Sequence, residues 1–299
     1  MTITYRKGTS DDSLTVFQVF VKTIMDYGER MGVMAITGGN DPEVLRSLWE
    51  RRGPMFEFLA ETAAQFWVTE KDGEIIAYAR STEHDGLQEL TEFFVLPDQQ
   101  SGGVGRELLS RAFPKTEARY RTVIATLDER ALYRYMKMGV YGRFPFKYFH
   151  RKAEKVEVKT DLEIEPMRHE LHMEDINRID REIVGHVREV VHRWIATTRE
   201  GFVYKRRGET VGYGYVGSDH GPFAVLDDHD FPAVLAHAES LMAELGEDFG
   251  AGTPLINTGA IGYFMERKYQ IDSFSTIFMS NVSFGKFENY LCFSPEFFM

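Results

Sequence analysis

The chain has one cysteine, Cys292, in 299 residues. That excludes an intrachain disulfide framework and any cysteine-rich metal site. No apolar run approaches the roughly 18 residues a membrane-spanning helix needs. The opening Met-Thr-Ile-Thr-Tyr-Arg-Lys lacks the apolar core of a secretory signal and reads as a strand, so the cytoplasm is the expected compartment. The nine histidines show no metal-ligand spacing, and no metal is expected. Positive charge is scarce too. Thirty-five Lys and Arg against 46 Asp and Glu leave a net charge of −11, which argues against nucleic acid as a partner. Neither a membrane nor a nucleic-acid partner is expected.

What is present is ordinary globular material, 43% apolar and 27% charged, enough for a core in each of two domains of about 150 residues. The most informative stretch runs from Glu89 to Phe113. Leu90–Leu96 is apolar and aromatic, as in a buried strand, and Pro97 ends it because proline has no N–H for a ladder. Ser101, Gly102, Gly103, Val104 and Gly105 form a glycine-rich turn. Val104, Leu108, Leu109 and Ala112 then recur at helical spacing. A glycine turn feeding a helix start offers unpaired N–H groups and the positive end of the helix dipole, a place for a phosphate. It is not a P-loop, because Arg106-Glu107 stands where Lys-Ser/Thr is needed. Alone, the turn also fits a plain strand-to-helix connection.

The surrounding order narrows the choice. Thr2–Arg6 reads as an edge strand. Val16, Phe17, Phe20, Val21 and Ile24 mark a first helix. Asp41-Pro42-Glu43 starts a second, carrying Leu45, Leu48 and Trp49, and Phe56–Ala63 is a further helical stretch. Phe66–Val68, Ile75–Arg80 and Leu87–Val95 are strands joined at Asp72-Gly73 and Asp85-Gly86. Beyond the glycine turn and its helix come a strand at Val123–Thr126 and a helix capped by Asp128, with Ala131, Tyr135 and Met138 on one face. Phe144–Phe149 closes the set. A charged stretch, His150–Glu163, reads as a linker, which sets the expected domains at residues 1–154 and 155–299.

Gln100-x-x-Gly103-x-Gly105, after a strand ending Val95-Leu-Pro97, resembles the Gln/Arg-x-x-Gly-x-Gly/Ala loop of the GCN5-related N-acetyltransferases (GNAT), of a tandem two-domain bacterial type. Asp128-x-x-Ala131-x-x-Arg134-Tyr135-x-Lys-x-Gly139-Val140 is similar to that family's Asn-x-x-Ala-x-x-Leu-Tyr-x-Lys-x-Gly-Phe segment, with Asp for Asn, Arg for Leu and Val for Phe. The resemblance implies an α/β fold of two tandem domains, each a central mixed, mostly antiparallel sheet flanked by helices. It implies acetyl-CoA as cosubstrate, held by Phe93, Val95, Gln100, Ser101, Gly102, Gly103, Val104, Gly105, Arg106 and Asp128. The departure at Asp128 puts the side-chain amide contact to the pantetheine in question.

The second half repeats the order weakly. Asn257-x-x-Ala260-x-x-Tyr263-Phe264 matches the Asn segment, but Phe264 has no hydroxyl. No glycine loop precedes the amphipathic helix from Phe231; Asp227-Asp-His-Asp230 stands there and would repel a pyrophosphate. This half reads as a degenerate copy. Asp180 to Arg188 resembles a signature bordering the acceptor site in some family members, and equally fits a charged helix face. The aromatic tail Phe284–Met299 is expected to dock as a strand or pack on the body of the chain.

The chemistry implied is direct acetyl transfer to an amine in the first domain. An alkyl ammonium of pKa ~10 must lose a proton, so a base is needed. Glu89 and Glu92 are candidates; an odd spacing places them on opposite faces of a regular strand. Either would otherwise serve as an ion-pair partner in the sheet. Tyr135, or a plain core tyrosine, would return a proton to the thiolate. The expected partner is a small-molecule or peptide amine; a homodimer is also open. The alternative is a catalytically silent acyl-CoA-binding or scaffolding protein with the same fold.

Overall fold

The computed structural model describes residues 2–33, 41–100, 103–217 and 219–292. Its chain gathers into two compact units, Met1–Tyr141 and Gly142–Met299.

In the first unit, strand β1 (Ile3–Lys7) precedes helices α1 (Ser13–Met31) and α2 (Pro42–Thr62). The two helical stretches expected between Pro42 and Ala63 are one helix that runs through Pro54. Pro54 is exposed, so the helix bond it cannot make is lost on the solvent side. Strands β2 (Gln65–Lys71), β3 (Glu74–His84) and β4 (Leu87–Val95) follow as hairpins. Helix α3 (Val104–Ala112), strand β5 (Tyr120–Thr126) and helix α4 (Glu129–Lys137) complete the unit. The strand order is β1-β2-β3-β4-β5, antiparallel except for the parallel pair β4–β5.

Each face of this sheet has its own cover. Ala77, Ala79 and Val95 pack against Val104, Leu108 and Ala112 of α3. On the other face Phe20 of α1 meets Phe94 edge-on at 5.2 Å, and Phe17 meets Phe56 of α2 at 5.4 Å.

The second unit begins within strand β6 (Tyr141–Lys152), earlier than the charged linker suggested. From Phe146 to Lys152, β6 pairs residue by residue with strand β11 (Asp248–Pro254), which ties it to the second unit. The other elements are β7 (Glu163–Pro166), α5 (His169–Ile183), α6 (Glu189–Ile195), β8 (Arg199–Arg206), β9 (Glu209–Gly217) and β10 (Phe223–Val225). They are followed by α7 (Phe231–Leu245), α8 (Thr258–Glu266), β12 (Gln270–Ser280) and β13 (Tyr290–Leu291). Five strands run in the order β13-β10-β9-β8-β7; β12, β6 and β11 are neighbours in a second sheet. The aromatic tail does dock as a strand at Tyr290–Leu291, and its last residues, 293–299, lie outside the described residues. Among the described residues no helix is long and apolar enough to cross a membrane.

Candidate active site

The first unit opens between β4 and β5. The two strands pair only from Leu87↔Tyr120 to Leu90↔Val123, although β4 continues to Val95 and β5 to Thr126. The cause lies in β4. Opposite β3, Arg80 faces Glu92 and Ser81 faces Leu90, so Thr91 is an extra, bulged residue. A bulge bends and twists its strand, which carries the end of β4 away from β5.

The divergence leaves a cleft of about 190 Å³ bordered by Glu92, Phe93, Val95, Gln100, Gly103, Gly105, Asp128 and Tyr135. The Leu96 N–H donates to Ile76 O on β3 at 2.9 Å. By strand alternation the main-chain groups of Val95 and Phe93 therefore point away from β3, toward the gap. The Gln100 side-chain amide donates to Val95 O at 3.0 Å, tying the loop to the strand end.

Gly103 caps α3 with φ of 83°, a left-handed conformation that glycine adopts without strain. No side chain caps this end, and α-helix geometry leaves the N–H groups of Val104 and Gly105 without intrahelical partners. A Cβ at Gly105 would sit 3.1 Å from the Phe93 ring, so helix and strand approach closely here and a side chain would have to push that ring aside. Ser101 and Gly102 lie outside the described residues. Arg106 is exposed on the first turn and does not border the cleft. The basic run that follows is mostly spent on structure. Arg111 pairs with Glu107 at 2.7 Å, and buried Arg121 bonds Gln88 and the carbonyls of Phe113 and Met138.

The bulge also corrects the reading of the two glutamates. With one residue added between them, Glu89 pairs with Thr82 and Glu92 with Arg80, two apart on β3, so both side chains share the face under α1 and α2. Both are buried, but only Glu92 borders the cleft. Its carboxylate accepts from the Tyr78 hydroxyl at 2.9 Å and lies 3.3 Å from Arg80 Nε. Burial pushes Glu92 above the usual carboxylate range, while Arg80 and Tyr78 oppose that rise. Arg80 is fully buried, donates to Phe56 O at 2.6 Å and lies over the Phe66 ring at 4.4 Å.

Tyr135 reaches the cleft from α4, edge-on to Phe93 at 6.3 Å between ring centroids. Its hydroxyl has no hydrogen-bond partner among the described residues, and burial holds it protonated well above the ordinary tyrosine range. Asp128 caps α4, accepting from the Arg130 N–H at 2.9 Å. Its carboxylate also takes Arg30 at 2.9 Å and Arg130 at 2.7 Å. Burial alone would raise Asp128, but these hydrogen bonds outweigh it and hold the group well below the carboxylate range. The Asp-for-Asn change thus engages the side chain with arginines.

Sequence reasoning missed Tyr78, Arg80 and Arg30. The available signal was an arginine inside the apolar strand Ile75–Arg80, where only a paired cation is tolerated.

The second unit has the same element order, but among the described residues the corresponding gap is bridged. Strand β13 lies antiparallel beside β10, with Leu291 opposite Phe223 and Tyr290 opposite Ala224. The next residue, Cys292, donates its N–H to Gly252 O of β11 at 2.9 Å. The chain's own segment therefore bridges β10 and β11. Asn257 caps α8 and donates its amide to Tyr290 O at 3.1 Å. A Cβ at Gly259 would run into the Asp228 carbonyl, so the start of α8 is closed against the turn before α7. Phe264 is stacked on Phe149 in the core. Asp180 and Arg188 form a bidentate pair at 2.9 and 3.0 Å, completely buried. His192, Tyr213 and Tyr290 are bonded into it. The Asp180–Arg188 signature is a structural network here. Asp227, Asp228 and His229 gather at the surface, where His229 is ion-paired to both aspartates.

A family model described as an acetyltransferase (GNAT) domain matches residues 62–139, the part of the first unit that holds the cleft. An acetyltransferase-assigned protein from Pyrococcus horikoshii has the same fold over 96% of this chain and 92% of its own, with a TM-score of 0.68 and 14% identity. A GCN5-related N-acetyltransferase from Sphaerobacter thermophilus matches with a TM-score of 0.58 at 14% identity, over 93% of this chain and 95% of its own. A tandem GNAT protein from the clavulanic acid biosynthesis pathway matches at 0.59 and 11% identity, over 93% and 98%. No curated protein sequence matches the chain. Residues 62–139 thus match an acetyltransferase (GNAT) domain, and the chain as a whole has the fold of these GNAT structures, the tandem protein among them.

Proposed function

We propose that the first unit transfers an acetyl group from acetyl-CoA directly to an amine. The observation that carries this reading is that Glu92, Tyr135 and the end of β4, unpaired on its β5 side, border one cleft at the mouth of the glycine loop. The helix end at Gly103–Gly105 suits a pyrophosphate. The main-chain edge at Phe93 and Val95, where Gln100 takes the Val95 carbonyl, suits an amide-bearing arm, and its N–H groups can donate to the thioester oxygen as charge develops there. Glu92 accepts the proton of the attacking amine as the new C–N bond forms. As the C–S bond breaks, Tyr135 gives a proton to the departing thiolate, whose thiol pKa is ~8.5. The tyrosine regains a proton from solvent. The placement of both proton-handling groups in the cleft favours turnover over a silent binder.

The test is thiol release from acetyl-CoA across a panel of amines. Glu92→Gln and Tyr135→Phe are each expected to lower the rate with the best amine by about 10²–10⁴-fold. Binding of acetyl-CoA without release above buffer for any amine, or release untouched in both variants, would overturn the catalytic reading.

A further inference from the structure

Glu92 is buried among rings, yet a base must ionise. Burial by itself opposes that, so something in the fold has to support the carboxylate. The groups available can be enumerated. On β3, Tyr78 donates to Oε1 at 2.9 Å and Arg80 Nε lies 3.3 Å from Oε2. On β4, Glu89 shares the face of Glu92. From α2 the buried cation is Arg52, while Phe56 gives its carbonyl and ring to Arg80. From α1 the buried titratable group is Tyr27, whose hydroxyl accepts from the Leu127 N–H at 3.2 Å. The Arg80 charge and, after it, the Tyr78 hydrogen bond are what favour the ionised Glu92 against its burial.

The two differ in kind. Arg80 is committed to the Phe56 carbonyl and to three aromatic faces, and its approach to Glu92 is an ion pair without a hydrogen bond. Tyr78 makes the directed bond. It is fully buried, and its ring is stacked on that of Phe94 of the cleft-bordering strand at 5.6 Å. A hydroxyl donating to a carboxylate favours the ionised form and fixes which oxygen remains for a proton.

We propose that Tyr78 is a positioning residue for the transfer reaction: beside the Arg80 charge, its hydroxyl bond to Oε1 helps keep Glu92 ionised and fixes how the carboxylate is turned in the cleft. The inference rests on the acetyl-transfer reading of the cleft, and its test is chosen to stand apart from activity. The full chain labelled with ¹³Cδ-glutamate is titrated by NMR, with the Glu92 signal identified by its loss in Glu92→Gln. In Tyr78→Phe the Glu92 midpoint is expected to rise by about one pH unit. Site-specific 3-fluorotyrosine at position 78, a stronger donor in the same space, is expected to move it the other way. An unchanged midpoint in either folded variant overturns the inference. If Glu92→Gln leaves thiol release intact, the base assignment fails instead, whatever the titration shows.

Discussion

The two units share one order of elements and treat the gap between corresponding strands in opposite ways. In the first, β4 leaves β5 at a bulge and the gap stays open to a ligand. In the second, β13 enters beside β10 and Cys292 bonds β11, so peptide amides satisfy the strand edges. Asn257, the residue the family pattern keeps, caps α8 and bonds the carbonyl of that inserted strand. Asp128, where the pattern departs, stands at the open cleft and is paired with two arginines. A retained motif residue can thus serve closure, while an altered one sits at the site. Family residues are informative only together with what fills the space beside them.

Several substitutions would break or sharpen this contrast. The largest effect is expected at Asp180. Asp180→Ala leaves Arg188 buried without its counter-charge, and urea unfolding should show a loss of about 3–5 kcal/mol. A loss under 1 kcal/mol would mean that the network does not hold the second unit together. Asp180 has the matching pH signature. Burial raises it, but Arg188 and His192 pull it well below the ordinary value. Its folded pKa is lower than its unfolded one. The stability it contributes is therefore present above about pH 4 and is lost as pH falls toward the folded value. Acid unfolding of Asp180→Asn should show a shallower loss below pH 4 than the parent chain.

Next is the loop. Gly103→Glu is expected to weaken acetyl-CoA binding by at least ~100-fold in calorimetry, through charge at the helix end. Gly103→Ala carries the same backbone strain at positive φ without the charge and should lose far less. Equal losses would assign the effect to strain. The smallest effect is expected at Asn257. Asn257→Ala removes a cap and a bond to Tyr290, costing about 1 kcal/mol in thermal unfolding. Acetyl-CoA affinity should be unchanged, and a drop in affinity would place a ligand in the second unit.

The order of elements in the first unit was readable because each has its own period and its own punctuation. Pro42 after Asp41 starts a helix, Asp72-Gly73 turns a hairpin, and Gly103 feeds α3. The bulge at Thr91 was not readable. It is a property of register between two strands, and nothing in Leu90-Thr91-Glu92 alone announces an extra residue. Because of it, the inference of opposite faces for Glu89 and Glu92 failed. The Tyr78–Glu92–Arg80 cluster was hidden for a related reason, since it joins residues from two strands. β13 is too short to carry a period, so the occupied gap of the second unit appears only in three dimensions. The unit boundary moved for the same cause. β6 follows α4 of the first unit in sequence, but its ladder with β11 belongs to the second unit.

The most direct measurement is the number of acetyl-CoA molecules bound per chain, by calorimetry on the full-length protein. An open gap in one unit and an occupied gap in the other predict one molecule per chain, lost in Gly103→Glu. Two molecules per chain, or one that persists in Gly103→Glu, would contradict the assignment of the first unit as the cofactor-binding half.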